Sequence, residues 1–274
     1  MIGLNKIGLN QVQLNRLHLN APFPAYGKMA GGGGSGDGFP QLPGDVTRWH
    51  FGGLTNEMMA AMDDPRIEDA DHKGRFLSFK NFAWKEGSGI SDVYPGALVF
   101  DGVDDCGTCN NFPVLTKEKG YTVVALRQWD QDFLNTTLTG GLLSTRNYST
   151  GEGVAFEKIE SSNKGYWNLG AGGIIDFAKS PFTWQTSKQY NNVGILKGDK
   201  NHGKPLCVGC GLSGGQQCGR FAIWELVFLD HDATEEELTK IKDYFVKTYP
   251  WLFPDQAWTV VGKTNEDEDR ATIA

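Results

Sequence analysis

The sequence predicts a mainly β protein: an antiparallel sandwich with a short helix before it, one helix after it, and an extended repeat arm in front. Three observations carry that expectation. Glycine is very frequent, at 36 of 274 residues, and aromatics reach 12%, which suits tight turns between pleated, half-buried strands. From Phe76 onward, apolar or alternating runs of strand length recur between clusters of Gly, Asn, Asp and Ser. One strongly marked helix start, Thr234-Glu235-Glu236-Glu237, stands near the end.

The arm comes first. Residues 1–20 fall into four pentads, MIGLN, KIGLN, QVQLN and RLHLN. The second position of each is aliphatic (Ile2, Ile7, Val12, Leu17), the fourth is leucine (Leu4, Leu9, Leu14, Leu19) and the fifth is asparagine. A period of five fits neither a helix nor a plain strand. It does fit short strands with a corner at each Asn, a residue that tolerates left-handed dihedrals. Four such sides make one coil of a solenoid, which cannot bury its own apolar face. The eight aliphatics are therefore expected to dock on a partner or on sister arms, as an assembly anchor. A frayed terminus is the plainer reading of the same stretch.

Residues 21–38 follow as a Pro/Gly-rich linker, ending in GGGGSGDG. Residues 39–75 read as a short helical lead-in, with a helix over 54–62 that Thr55 caps and Asp63-Asp64-Pro65 stops. The sandwich is expected over 76–258. Its strands are placed at 77–84, 97–100, 121–126, 141–146, 153–159, 172–178, 192–197 and, most hydrophobic, 221–229. After it, Thr234 and Glu237 form a capping box. Leu238, Ile241 and Phe245 then follow at helical spacing, and Pro250 ends the helix. Residues 259–274 are an acidic tail.

Charge and cysteines narrow the function. A net charge of −7 argues against nucleic acid as a partner, since phosphates need clustered Lys and Arg. No run of about eighteen apolar residues is present to span a membrane. No secretory signal is recognisable at the start, and five cysteines, an odd number, suit cytosolic assembly better than a full disulfide framework.

Two motifs then carry a resemblance. ALVFDGVDDCGTCNNF at 97–112 resembles the opening strand pair of laminin-G-like, concanavalin-A-like jelly rolls, and FAIWELVFLDHDATEEELTKIKDYFV at 221–246 resembles their closing strand and helix. GYTVVALRQW sits where that family has its second core strand. Cys106 stands where an aromatic is usual. With NFAW before the first motif and YPWLFP after the helix, the variant resembles proteins of Bacteroidales and their crAss-like phages, in which these domains occur on virion fibres and appendages. The resemblance implies a jelly-roll fold, a place on the virion, and capsid or tail and fibre subunits as partners; a homotrimer is expected from the arms, three copies of which can share one buried apolar axis. Fold alone implies no activity.

Each candidate site has a functional reading and at least one structural alternative. Asp101, Asp104 and Asp105 either bind calcium or hold a turn. Cys106, Cys109, Cys207 and Cys210, as two C-x2-C pairs, fit a tetrathiolate zinc site; a disulfide or buried free thiols are the alternatives. Trp129, Tyr148, Trp167 and Trp184 fall in loop-rich stretches and either stack on a host surface glycan or pack the sandwich. No strand shows the paired carboxylates of a glycosidase and no nucleophilic triad is evident, so the chain is expected to be non-enzymatic. The leading expectation is a structural virion subunit whose projecting jelly roll binds glycan. A free bacterial lectin-like module and a polysaccharide-cleaving enzyme are the alternatives.

Overall fold

The most hydrophobic stretch, RFAIWELVFL, forms a ten-residue strand, and the rest of the fold is arranged around it. The computed structural model describes residues 37–113, 120–145, 155–158, 164–167, 174–176, 181–186, 205–212, 216–253, 260–261 and 272–273. The pentads, the linker before residue 37 and the strand expected at 192–197 lie outside them.

In chain order, β1 (Val46–His50) precedes α1 (Asn56–Ala60), β2 (Arg66–Glu68), β3 (Phe76–Lys80), β4 (Gly89–Ile90), β5 (Leu98–Asp101) and β6 (Cys106–Cys109). Then come β7 (Thr122–Trp129), α2 (Gln131–Leu134), β8 (Gly140–Ser144), β9 (Ala155–Lys158), β10 (Lys164–Trp167) and β11 (Ile174–Asp176). The body closes with β12 (Phe182–Thr186), β13 (Leu206–Val208), β14 (Cys210–Leu212), β15 (Gln216–Cys218), β16 (Arg220–Leu229) and α3 (Glu235–Thr248).

Two sheets result. The first runs β12-β7-β16-β5-β4, and the second β11-β10-β9-β8-β13-β6-β3-β2. On one edge of β16, β7 pairs along nearly its whole length. On the other edge, β5 takes the first half and β1 the second. The expected mainly β sandwich is thus present, and among the described residues its pairing is antiparallel apart from one parallel bridge, Cys218 to Gly141.

Period-two alternation explains how the strands divide their side chains between two layers. Phe221, Ile223, Leu226 and Phe228 of β16 face the second sheet and meet Leu77, Phe79, Leu142, Leu206 and Val208 there. Ala222, Trp224, Val227 and Leu229 face the opposite way, under α3. The helix covers them with Leu238, Ile241 and Phe245, the residues expected from their spacing. Its capping box is formed: Thr234 Oγ1 accepts from the Glu237 amide, and Glu237 Oε2 accepts from the Thr234 amide at 2.8 Å. Thr55 likewise caps α1 by accepting from the Met58 amide.

Three features depart from the sequence reading. Residues 46–50, placed in a helical lead-in, form a strand paired along β16, so the sandwich begins well before residue 76. The motif at 97–112 supplies β5 to the first sheet and β6 to the second, so its two strands are not partners. A bulge between Ile223 and Glu225 turns Trp224 and Glu225 toward the helix together.

That bulge places a buried charge network beneath the helix. Glu225 is fully buried and accepts from Arg48 Nη1 at 3.0 Å and from the hydroxyls of Tyr244 and Tyr249, each at 2.8 Å. His50 Nδ1 lies 3.2 Å from the same carboxylate, and Arg48 also pairs with Asp37. Burial pushes the Glu225 carboxyl upward, but the His50 hydrogen bond and the Arg48 charge outweigh it and hold it below the usual range. The network ties β1, β16 and α3 together.

Candidate functional site

Partly exposed aromatics gather at the end of β3, where the backbone is forced into an unusual turn. Asn81 and Trp84 adopt left-handed dihedrals, φ 68° and 48°, which non-glycine residues rarely do. Lys85 and Ser88 close the turn with reciprocal backbone hydrogen bonds of 3.0 Å. The result stacks Phe82 on Trp84, centroids 4.9 Å apart and planes 18° from parallel, with both rings partly exposed. Phe79 and Phe100 support the pair from beneath, edge to face.

The acidic turn of the 97–112 motif lies directly beside this pair. Asn81 Nδ2 donates to the Asp104 carbonyl at 3.0 Å. Ser88 Oγ accepts from the Ala83 amide and donates to Asp105 Oδ1 at 3.0 Å, joining the two turns. Asp101 Oδ1 accepts from the amides of Val103 and Asp104, while Gly102 takes φ 78°. Asp105 is fully buried, and its second oxygen accepts from the Asp101 amide at 2.9 Å. Burial raises its pKa to about 7, with the nearby Asp101 charge adding to the effect.

The three aspartates bring one oxygen each within 4.8 Å of one another. Asp105 has both oxygens engaged and Asp101 caps its own turn, which is the turn-holding reading of these residues. Asp104 and Val103 are exposed at the tip and Asn81 is exposed beside Asp104, while the Phe82–Trp84 pair is half-buried, packed against the core between the sheets with its remaining surface open.

The aromatics named from sequence fare differently. Trp129 and Trp184 are each only 4% exposed. Trp129 stacks on Phe133 and packs on Phe221 between the sheets, and Trp184 lies in the cluster beneath α3. Neither presents a face to a sugar, because strand alternation directs both inward. Trp167 has its backbone in β10 with its side chain outside the described residues, and Tyr148 lies outside them altogether. Phe82 and Trp84 were missed because 77–84 reads as one alternating strand, whereas the strand stops at Lys80.

The cysteines also regroup. Cys106, Cys207, Cys210 and Cys218 form a cluster of their own, each no more than 5% exposed. Cys210 and Cys218 are joined by a disulfide, and the Sγ atoms of Cys106 and Cys207 lie 3.0 Å apart. Cys109 belongs to the core between the sheets. The expected set of Cys106, Cys109, Cys207 and Cys210 is therefore not brought together: a spacing of three along a strand sends Cys106 and Cys109 to opposite faces.

No family model and no curated protein matches the sequence. Solved structures do match it. Trypanosoma rangeli sialidase in complex with sialic acid aligns with a TM-score of 0.43 and 11% identity, over 89% of this chain and 38% of that one. The same enzyme with 2,3-difluorosialic acid, a covalent intermediate, gives 0.46 and 14%, over 89% and 39%. The ligand binding domain of botulinum neurotoxin serotype D in complex with N-acetylneuraminic acid gives 0.42 and 10%, over 66% and 48%. The chain thus spans about two fifths of the sialidases and about half of the toxin domain. At these scores the likeness assigns no ligand or activity. The expectation of a non-enzymatic chain is nevertheless corrected here: sialidases stand among the matched structures, and that expectation is not retained.

Proposed function

We infer that the chain binds glycan through the stacked Phe82 and Trp84 at the rim of its sandwich. The observation that carries this reading is the stack itself, a flat apolar face beside Asp104, Asn81 and Val103. Aromatic faces take the apolar side of a sugar ring, and neighbouring carboxylate and amide groups take its hydroxyls. The left-handed backbone at Asn81 and Trp84 supports the same reading, because strain held in place at a surface turn is commonly part of a recognition site.

The test is an oligosaccharide array probed with the wild type and with Trp84→Ala. Loss of the stacking face is expected to weaken retention about tenfold, the equivalent of ~1.4 kcal/mol. An array on which wild type and Trp84→Ala bind alike sinks the assignment. A reducing-sugar assay on the bound glycans, run in parallel, separates retention from cleavage.

The reading extends to a virion subunit, a head or tail fibre or decoration protein, with the jelly roll projecting from an arm formed by residues 1–20. Two sequence features support this extension: the pentads, whose aliphatics need cover, and the resemblance carried by the motifs at 97–112 and 221–246. A chain lacking residues 1–20 is expected to keep its folded body and its glycan binding but to be absent from purified particles. Normal incorporation of that truncated chain refutes the anchor without touching the glycan site.

A further inference from the structure

We propose that Cys106, Cys207, Cys210 and Cys218 form a tetrathiolate site for a zinc ion, the metal-bound form of four sulfurs that otherwise hold a disulfide. The site is built on the outer face of the second sheet. Cys207 lies between Leu206 and Val208, both of which face the core between the sheets, so its own side chain points away from that core. In register, Cys207 pairs with Thr108, which places Cys106 two residues along on the same face. Their sulfurs are 3.0 Å apart.

The other two sulfurs are delivered from above. Gly209, at φ 92°, turns the chain sharply after β13, and a Cβ there would meet the Phe100 ring at 2.3 Å. The β14–β15 hairpin then folds back over β8. A Cβ on Gly141 would come within 2.1 Å of the Gly211 nitrogen, so only glycine lets the hairpin lie so close. Cys210 and Cys218 face each other across the hairpin and complete the cluster.

The local chemistry fits a thiolate site better than a simple apolar patch. Among the described residues, these four cysteines alone make up the cluster. Cys207-Val208-Gly209-Cys210 is a C-x2-C turn in which the Cys210 backbone amide donates toward the Cys207 sulfur, the sort of support that bound thiolates need. The positive charge of Lys80, paired in register with Cys106, acts on the Cys106 sulfur. Zinc–sulfur bonds of about 2.3 Å in a tetrahedron separate sulfurs by about 3.8 Å, so the Cys106–Cys207 pair needs to open by under ~1 Å. In the oxidised chain Cys210 and Cys218 share a bond. An added dithiol supplies two electrons and two protons to break it, and zinc then displaces the thiol protons to solvent.

The experiment uses the full chain purified from a reducing cytosol without chelator. Elemental analysis is expected to find about one zinc per chain in the wild type and in Cys109→Ser, and at least tenfold less in Cys218→Ser. Cobalt substitution of the wild type provides a readout that does not depend on a variant folding. Its sulfur-to-metal charge-transfer bands are expected at the intensity of four thiolates. Two outcomes overturn the proposal. One is a metal-free wild type whose mass, after alkylation in denaturant, shows Cys106–Cys207 and Cys210–Cys218 both oxidised. The other is Cys109→Ser losing zinc as fully as Cys218→Ser.

Discussion

Replacing Glu225 with glutamine isolates the charge that holds α3 to the first sheet. The carboxylate is fully buried and receives Arg48 Nη1 on one oxygen, with Tyr244, Tyr249 and His50 on the other. Gln keeps an acceptor for the tyrosines but sets an amide N–H against Arg48 Nη1, so the guanidinium keeps Asp37 as its acidic partner in this network. Breaking a buried pair costs about 3–5 kcal/mol, and the surviving Asp37 pair places this case near the lower end. At roughly 2–4 °C per kcal/mol, a loss of ~3 kcal/mol lowers the melting temperature by about 6–12 °C. Urea denaturation at neutral pH measures it directly. The sign with pH is fixed: the folded carboxyl titrates below its usual range, so its contribution is present above the unfolded pKa and lost as pH falls through the folded one. The gap between wild type and Glu225→Gln is therefore expected to close in acid. A neutral-pH loss under ~1 kcal/mol, or a gap that persists in acid, refutes the network as the tie between helix and sheet.

Three more outcomes are expected. Asp105 holds its proton up to about pH 7 in the folded chain but only to about 3.8 when unfolded, so the folded state binds more protons and stability falls as pH rises across that window. Asp105→Asn, which still offers an acceptor to the Asp101 amide, is expected to flatten that slope in a series of thermal melts. Gly141→Ala drives a methyl into the Gly211 backbone; proteolysis is expected to cut the β14–β15 hairpin several-fold faster while β16 stays protected. Thr234→Ala removes the cap of α3 and is expected to cost about 1 kcal/mol by urea denaturation, whereas Thr234→Ser restores it.

The parts of the fold legible in the sequence are those set by local chemistry. The capping box at Thr234, the cap at Thr55 and the turn at Asp101-Gly102 use side chains within a few residues, and each is formed. The strand at 220–229 is apolar enough to announce itself. β1 was not legible because VTRWH carries an arginine and a histidine that look solvent-bound; their partner, Glu225, is 177 and 175 residues away. The bulge that aims Glu225 at them leaves no mark in a single sequence. Cys109 was legible in part, since an odd spacing on a strand already separates it from Cys106. The exchange of Cys109 for Cys218 was not, because it depends on a hairpin doubling back over β8. Trp129 and Trp184 misled because glycine-rich surroundings read as loop, although both lie in strands.

The two outer faces of the sandwich are closed by different fastenings. One carries a helix seated on greasy contacts and an ion network, indifferent to electron donors. The other carries a short flap pinned by sulfur. A change in the thiol balance of the surroundings, as on leaving a cell, therefore reaches one flank of the molecule and leaves its opposite flank untouched.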